Sequence, residues 1–465
     1  NYKCASKPGG RQFVPDDERI LLDIVTCPGR SPADLTLEEA GPRERIFFDP
    51  KGATAAIVTC GGLSPGLNNV IRSLFYELSE NYGLAQVFGI RNGYLGLTAA
   101  SGLKPILLNR EFVEPIDKLG GTILGSSRGP QEPRDMADYV ESLAIDMLFC
   151  LGGDGTQRGA QALHQELQRR GSKVAVVGIP KTIDNDIPFV RRSFGFASAL
   201  DKASEVIRGA HVEARDAVNG IGLVKLMGRH AGFIAAGASV VSQEVNFCLV
   251  PEIPFPLEGE GGFLEALEAR LRRRGHAVVV VAEGAGQHFI DGEKRYDASG
   301  NLQHEDVGVF LRERIKRHFR ERDFEMTLKY IDPSYFIRSV PANGLDRFVC
   351  DQMGRHAAHA AMAGKTGVMI GYENDQFINI PIPAVVGRSK SLDVHGDLWR
   401  GVLQETAGIG EDEEVFAATL RSALGGETSG PDTAGIPAGA LRRTLWPLLV
   451  ILALLEAFSW FRRDY

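Results

Sequence analysis

The sequence predicts an α/β fold in which parallel sheets carry helices on both faces. From residue 53 onward, apolar runs of strand length alternate with segments whose apolar residues recur at helical spacing. Glycine-rich turns follow several of the strand runs. At 465 residues, 44% of them hydrophobic, the chain has room for about two to four domains. Ligand sites in such folds lie beyond the carboxyl ends of the strands, so the turns there are the first place to look for function.

The predicted elements form two blocks of alternating strands and helices. In the first block we expect strands over 53–60, 84–90, 145–151 and 173–178, and helices over 67–82 and from the turn at 151–156 to residue 170. In the second block we expect strands over 220–226, 247–250, 277–282 and 368–372, and helices over 197–214, 227–241, 263–274 and 345–363. Gly83, Gly171 and Gly275 stand where helices should end.

Charge and cysteine usage narrow the class of protein. The net charge of −7 offers no broad basic footprint for nucleic acid. The six cysteines are scattered and contain no CxxC pair, so neither a zinc site nor a disulfide framework is indicated. Cys60, Cys150 and Cys248 end or lie within apolar runs and are expected to be core thiols. We therefore expect a reducing, cytoplasmic location, and the N-terminus lacks the pattern of a signal peptide.

The two ends of the chain differ from its body. Residues 1–50 are rich in proline and charge and predict an extension that wraps the body or binds a neighbour. Residues 401–440 are rich in Gly, Glu and Ala and predict a linker with one short helix. Residues 441–465 are apolar, with arginine pairs and tryptophans near both ends, and predict a helix. The apolar run within it, residues 445–461, is shorter than the about 20 residues that span a bilayer and contains Glu456, so membrane anchoring and docking into an oligomer both stay open.

Two glycine-containing turns are suited to phosphate. Gly61, Gly62 and Gly66 allow the backbone to approach a ligand closely, and exposed amides there can face phosphate oxygens. No GxxxxGK[ST] string is present, which excludes a Walker loop. The run Leu-Gly-Gly-Asp-Gly-Thr at 151–156 adds a carboxylate, Asp154, of the kind that holds Mg²⁺. The structural alternative is an Asp-Gly turn that caps the next helix.

The run Pro-Lys-Thr-Ile-Asp-Asn-Asp at 180–186 places two carboxylates in one loop. One of Asp184 and Asp186 can take a proton from a hydroxyl while the other orients that hydroxyl or binds a metal. Lys181 and Thr182 can contact phosphate. The structural alternative is a helix-capping or Asx turn. Together with the turn at 151–156, this loop argues for phosphoryl transfer.

Several further polar residues are ambiguous when taken singly. Arg128 lies in a flexible polar turn, and it, Arg229, Arg338 and Lys329 could contact phosphate or simply be solvated. Glu283 follows a run of valines, so its carboxylate stands at the end of a strand. That position favours binding to a sugar hydroxyl.

Five runs in order and spacing across about 50–405 resemble the 6-phosphofructokinase family. They are TCGGLSPGLNNVIR at 59–72, LGGDGT at 151–156, PKTIDND at 180–186, MGRHAGFIA at 227–235 and KYIDPSYFIR at 329–338. GGDGT alone is weakly specific, because NAD kinases and diacylglycerol kinases resemble it, but those kinases have no place for the MGR and PSYFIR runs. The GSSRGP and KYIDPSY forms are similar to the branch that contains trypanosomal and plant-type enzymes.

The resemblance implies an architecture. It consists of two Rossmann-like three-layer α/β/α domains with the active site in the cleft between them. The nucleotide-binding domain would comprise 51–194 plus about 339–400, and the domain for fructose 6-phosphate would comprise 195–338. The resemblance also implies an allosteric enzyme of glycolysis that assembles as a tetramer, or at least a dimer.

The resemblance further implies roles for individual residues. Asp184 would be the base that deprotonates the sugar 1-hydroxyl, and Asp154, together with Asp186, would manage Mg²⁺. The residues along the nucleotide would be Gly62, Arg128, Gly153, Gly155 and Thr156. Those that bind fructose 6-phosphate would be Thr182, Asp184, Asp186, Met227, Gly228, Arg229, Glu283, Lys329, Tyr330, Tyr335 and Arg338.

The phosphoryl donor can be argued from two positions. Pyrophosphate-dependent relatives typically have Asp where this chain has Gly155, and a carboxylate there would repel the α-phosphate of a nucleotide. Lys181 is typical of pyrophosphate users and points the other way, but Gly with Lys resembles the ATP users of the trypanosomal branch. We expect ATP, with a pyrophosphate-dependent enzyme as the alternative and a non-catalytic, membrane-tethered binding protein as a further one.

One position departs from the family pattern. Seven residues before the Met of MGR, bacterial forms have an arginine that reaches the sugar phosphate of a neighbouring subunit. Here the position is Gly220, so that contact between subunits is in question, and Lys329 is a candidate to replace it.

Overall fold

The fold was analysed in a computed structural model of the chain. The structure describes residues 13–22, 35–290 and 304–406, together with the short stretches 2–3, 295–296, 302–303 and 418–420 and the single residues 416 and 422.

The described residues form seventeen strands and eleven α-helices. The strands are β1 (Tyr2–Lys3), β2 (Arg19–Leu21), β3 (Thr36–Glu39), β4 (Arg45–Ile46), β5 (Thr54–Thr59), β6 (Gln86–Ile90), β7 (Ile106–Leu107), β8 (Met147–Gly152), β9 (Ala175–Pro180), β10 (Gly220–Leu226), β11 (Phe247–Leu249), β12 (His276–Ala282), β13 (Arg295–Tyr296), β14 (Leu302–Gln303), β15 (Thr327–Ile331), β16 (Val368–Glu373) and β17 (Gln376–Pro381). The helices are α1 (Leu67–Phe75), α2 (Arg110–Val113), α3 (Pro133–Ser142), α4 (Asp154–Arg169), α5 (Phe196–Asp216), α6 (Phe233–Ser242), α7 (Phe263–Arg274), α8 (Val307–Glu321), α9 (Ser334–Ser339), α10 (Gly344–Met362) and α11 (Asp397–Thr406).

Nine strands form one large sheet in the order β2-β3-β17-β16-β9-β8-β5-β6-β7. Its centre is parallel: β5 pairs with β6 and β8, and β9 pairs with β8 and β16. All residues of β5, β8 and β9 are buried, as the continuous apolar runs predict. The register places Thr59 beside Leu151 and Gly152 beside Pro180, so the turns that follow these three strands emerge side by side.

A second, entirely parallel sheet has the order β11-β12-β10-β15. Leu226 at the end of β10 pairs with Ala282 at the end of β12, so the segments that begin at Met227 and Glu283 are neighbours. The predicted α/β class is confirmed. Two further pairs, β1 with β4 and β13 with β14, form small antiparallel sheets. The predicted domain limits stay a prediction.

Three predicted elements differ in detail. The predicted helix over 67–82 is α-helical only to Phe75 and continues as a π-helix over Tyr76–Tyr82. Helix α6 begins at Phe233 rather than at Met227, because Gly228 has a φ of +128° that an α-helix cannot contain. The predicted linker does not begin at 401: α11 runs to Thr406 because buried Trp399 and Val402 pack it against the body.

The described part of residues 1–50 extends the large sheet. Strands β2 and β3 pair with each other and β3 pairs with β17, all antiparallel.

The apolar segment 441–465 and the cysteines Cys4 and Cys27 lie outside the described residues. The predicted core thiols Cys60, Cys150 and Cys248 are free and buried. Among the helices that can be described, none has the length and apolar character needed to traverse a bilayer.

Candidate active site

An open cavity of about 1190 Å³ lies where the carboxyl ends of the two sheets face each other. Its large-sheet wall consists of the turns that follow β5, β8 and β9, and its small-sheet wall consists of the segments that follow β10 and β12 together with α9. Most of the predicted site residues line it: Gly62, Arg128, Gly153, Asp154, Gly155, Thr156, Thr182, Asp184, Asp186, Met227, Arg229, Glu283 and Arg338. Asp154 and Asp184 therefore open onto the same cavity.

The turn that follows β5 is hydrogen-bonded to the turn that contains Arg128. The Gly61 N–H donates to the Ser127 carbonyl (3.0 Å), and the Ser126 hydroxyl donates to the Gly61 carbonyl (2.6 Å). Gly61 has a φ of +81°, which favours glycine. A methyl group on Gly62 would lie 3.5 Å from a guanidinium nitrogen of Arg128, so the guanidinium lies close to the backbone of this turn.

Lys181 places a buried cation beside this turn. Its ammonium donates to the Gly62 carbonyl (2.6 Å), and the side chain is only 7% exposed. Burial lowers the pKa of Lys181 to about 8, because the charged form loses solvation. Lys181 also lines the cavity and can offer positive charge to an anion bound there.

The turn after β8 leads directly into α4. The helix begins at Asp154, and its first turn is fixed by the Tyr94 hydroxyl, which donates to the Thr156 carbonyl (2.7 Å). The amino-terminal end of a helix carries partial positive charge and binds anions. Asp154 Oδ1 accepts from the Gly387 N–H (3.0 Å), and its Oδ2 lies 3.0 Å from an Arg158 nitrogen.

The loop after β9 depends on Asn185, which the sequence reasoning did not single out. Asn185 has a φ of +58°, a left-handed conformation that Asn tolerates better than most residues. Its side chain donates to the Arg191 carbonyl (3.1 Å) and accepts from the Ser193 N–H (2.9 Å). An Asn between two aspartates is the only sequence signal of this scaffolding role.

Thr182 orders the two carboxylates of this loop. Its hydroxyl donates to Asp186 Oδ1 (2.6 Å) and accepts from the Asp184 N–H (3.2 Å). The two aspartates are thereby held in one loop with defined orientations.

Asp184 has the electrostatics of a general base. Burial raises the pKa of its carboxyl to about 7, and the negative charges of Asp186 and Glu283 add to this rise, whereas the guanidinium and backbone N–H of Arg229 oppose it. Its Oδ1 is fully buried and has no hydrogen-bond partner among the residues that the structure describes. A carboxyl group that lines the cavity and has a raised pKa can accept a proton from a hydroxyl bound there.

The small-sheet wall is held together by its backbone. The Glu283 N–H donates to the Leu226 carbonyl (2.9 Å), and the Gly284 N–H donates to the Gly228 carbonyl (3.0 Å). This places the guanidinium of Arg229 3.9 Å from the Glu283 carboxylate. A cation and a carboxylate side by side suit a ligand that carries both phosphate and hydroxyl groups.

Four predicted site residues do not line the cavity. Gly228 contributes its backbone to the turn only. Lys329 is 3.3 Å from the Glu213 carboxylate, and the Tyr330 hydroxyl donates to Asp306 (2.9 Å). The Tyr335 ring is 74% exposed and lies 4.5 Å from the Arg338 guanidinium. Their predicted contacts with a sugar phosphate stay a prediction.

The residues present fit a magnesium ion that is shared with phosphate. The described part of the chain contains no cluster of three or more His, Cys, Asp or Glu that could hold a metal. Mg²⁺ usually binds one or two protein carboxylates together with substrate phosphates, so such a cluster is not required. Asp154 and Asp186 both open onto the cavity and supply that donor set.

Comparisons with known proteins identify the family of this chain. Residues 54–361 match the family model described as phosphofructokinase. The chain is 47% identical over 408 residues to an ATP-dependent 6-phosphofructokinase of Borreliella burgdorferi, covering 86% of this chain and 91% of that protein. It is 46% identical to the ATP-dependent 6-phosphofructokinase of Trypanosoma brucei brucei, covering 82% and 78%. A crystal structure of a pyrophosphate-dependent phosphofructokinase from Marinobacter aquaeolei has the same fold, with a TM-score of 0.61, 23% identity, and coverage of 83% and 95%.

Proposed function

The chain belongs to the phosphofructokinase family, and from that premise we infer that it transfers the terminal phosphoryl group of ATP to the 1-hydroxyl of fructose 6-phosphate. The products are fructose 1,6-bisphosphate and ADP, and the reaction is a step of glycolysis. The observation that carries this proposal is the shared cavity of Asp154 and Asp184, with cationic groups on both walls. Phosphoryl transfer needs two anionic reactants held in line rather than covalent chemistry by the protein.

Asp184 acts as the base. The raised pKa of its carboxyl supports this role, because a base works best when its pKa lies near the working pH. The proton leaves the sugar 1-hydroxyl for the carboxylate as that oxygen attacks the terminal phosphorus, and the bond from this phosphorus to the bridging oxygen breaks so that ADP leaves. Asp184 then releases the proton to solvent.

The remaining wall residues position the two substrates. Arg128, Gly62 and the start of α4 at Gly153–Thr156 hold the phosphate chain of ATP. Arg229, Arg338, Glu283, Met227 and Thr182 hold fructose 6-phosphate, with the arginines on its phosphate and the carboxylate on a hydroxyl. Asp154 and Asp186 would hold Mg²⁺, which when bound neutralises charge on the transferring phosphoryl group.

Replacing Asp184 with Asn tests the base. We expect kcat to fall about 10²–10⁴-fold, because the amide cannot accept the proton. The measurement is ADP release in a coupled assay with ATP and fructose 6-phosphate, with thermal unfolding as the check on folding. Near-normal turnover of this variant would remove Asp184 from the role.

Assays of the unaltered enzyme with ATP and with pyrophosphate test the phosphoryl donor, and activity with pyrophosphate alone would overturn the choice of ATP.

We also propose that the chain forms a homo-oligomer. The support is the exposure of three aromatic side chains on α9 and the start of α10: Tyr335, Phe336 and Phe348 are 74%, 54% and 57% exposed. Large apolar side chains left exposed in one chain can be covered by a second copy. Lys329, Tyr330 and Tyr335 would then meet the sugar phosphate only when a second copy completes the site.

A further inference from the structure

The segment Gly387-Arg388-Ser389-Lys390-Ser391, here called the strap, contributes to the cavity but has no part in the roles described above. Gly387, Arg388, Ser389 and Ser391 line the cavity. The strap follows the last strand of the large sheet and lies far in sequence from the other site residues. Its composition, one arginine and one lysine among glycine and serines, is of the kind that contacts phosphate.

The strap is anchored to the large-sheet wall at both of its ends. The Gly387 N–H donates to Asp154 Oδ1 (3.0 Å), and the Lys390 N–H donates to the Asp186 carbonyl (2.6 Å). Gly387 has a φ of +71°, so a residue with a side chain would strain the turn that aims this N–H at Asp154. The ammonium of Lys390 donates to the Val190 carbonyl (2.7 Å) and is thereby committed to holding the strap.

A carboxylate from the other half of the molecule secures the end of the strap. Glu252 Oε1 accepts from the Leu392 N–H (2.8 Å) and also from the Gly232 N–H (2.9 Å), which immediately precedes α6. The backbone on either side of Arg388 is therefore fixed relative to Asp154, Asp186 and the small-sheet wall. Because this backbone is already fixed, binding of a ligand by the side chain of Arg388 need not order the backbone as well.

The guanidinium of Arg388 has no interaction partner among the residues that the structure describes. Its side chain is exposed, lines the cavity, and makes no hydrogen bond, ion pair or ring contact with any residue that the structure describes. The other cations of the strap region are paired: Lys390 with Val190, and Arg158 with Asp154. Since an arginine fork matches phosphate oxygens, an unpaired one beside Asp154 indicates a phosphate-binding group.

We propose that Arg388 binds a phosphate group of the nucleotide, making it a further substrate-binding residue of the reaction. The inference rests on the proposed function, because it takes ATP as the donor. The nucleotide is favoured over the sugar phosphate because the strap joins the wall at Asp154, next to Gly155 and Thr156. Arg229 and Arg338 already supply cations on the opposite wall.

Arg388→Gln tests the proposal, with Arg388→Lys as the charge-preserving variant. The matched control is Arg110→Gln, since Arg110 is an exposed arginine of α2 that lies outside the cavity. Each protein is titrated calorimetrically with MgATP in the absence of fructose 6-phosphate, and KM is then measured for both substrates. We expect Arg388→Gln to weaken ATP binding and raise KM for ATP about 10–100-fold, as expected for a lost charge-assisted hydrogen bond to phosphate. KM for fructose 6-phosphate should change less than about twofold, and Arg388→Lys should recover part of the loss.

Two outcomes would overturn the proposal. The first is ATP affinity of Arg388→Gln equal to that of Arg110→Gln. The second is an equal rise of both KM values, which would mean that the strap as a whole has shifted. If the unaltered chain binds ATP but does not phosphorylate fructose 6-phosphate, the proposed function fails while the binding titration still decides the role of Arg388.

Discussion

The two walls of the cavity differ in how many of their predicted ligand-binding residues line the cavity. On the large-sheet wall, every residue predicted to contact the nucleotide lines the cavity, from Gly62 to Thr156. On the small-sheet wall, Met227, Arg229, Glu283 and Arg338 line it, but Lys329, Tyr330 and Tyr335 do not. The large-sheet wall also has the strap, which is pinned to Asp154 and Asp186.

This difference has a structural origin. The turns of the large-sheet wall follow adjacent parallel strands whose register fixes where the backbone emerges. The missing residues of the small-sheet wall belong to β15 and α9, which form an outer edge of the four-stranded sheet and an exposed surface. Strand pairing on both sides fixes the backbone of β5, β8 and β9, whereas β15 is paired on one side only.

Among the predictions that compare the two walls, the largest effects are expected when an arginine is replaced on each wall. Arg128→Gln should raise KM for ATP about 10–100-fold and leave KM for fructose 6-phosphate nearly unchanged, and Arg338→Gln should do the reverse, because each loses a charged contact to a different phosphate. Steady-state kinetics with each substrate varied in turn measures both. If both variants raised the same KM, the division of the cavity into a nucleotide wall and a sugar wall would be wrong.

A second prediction concerns the exposed edge of the small-sheet wall. Phe336→Ser should weaken self-association about 10–100-fold, because a buried aromatic ring at an interface contributes roughly 1.5–3 kcal/mol. Sedimentation velocity over a range of protein concentrations measures the assembly, and the accompanying kinetics should show a loss in KM for fructose 6-phosphate rather than for ATP. The control is Phe112→Ser, since Phe112 is 39% exposed on α2 in the other half of the molecule. Unchanged assembly in Phe336→Ser would contradict the proposed interface.

The smallest expected effect is on the pH dependence of kcat/KM, because charged residues of both walls shift the pKa of Asp184. The acid limb of kcat/KM reports the ionisation of this base in the free enzyme. Glu283→Gln removes a negative neighbour, which lowers the pKa of Asp184 and moves the limb to lower pH. Arg229→Gln removes a positive neighbour, which raises that pKa and moves the limb to higher pH. Glu260→Gln, on an exposed loop, serves as the control, and shifts of the same sign in both variants would contradict this account of Asp184.

The elements with strong periodicity were predictable and others were not. Helix α7 has the predicted bounds, and β10 has them as well, because continuous apolar runs and a terminal glycine mark them. The antiparallel strand β17 and the helix α8 carried no comparable signal. Helix α6 begins six residues after the predicted start, because the φ of +128° at Gly228 does not fit an α-helix. Local pattern predicts an element well where burial alone decides its conformation.

The amino-acid sequence by itself determined the α/β class, the family to which the chain belongs, and the turns to which we assign the phosphate and proton chemistry. It could do so because those turns are short contiguous runs whose residue types are set by local backbone and ligand chemistry. Only the tertiary structure decided that Asp154 and Asp184 share a cavity, that Asp184 has its pKa raised by burial and two carboxylates, and that the strap at 387–391 reaches the site. Burial and charge at a residue depend on neighbours that the fold brings from distant parts of the chain, and no local pattern encodes them.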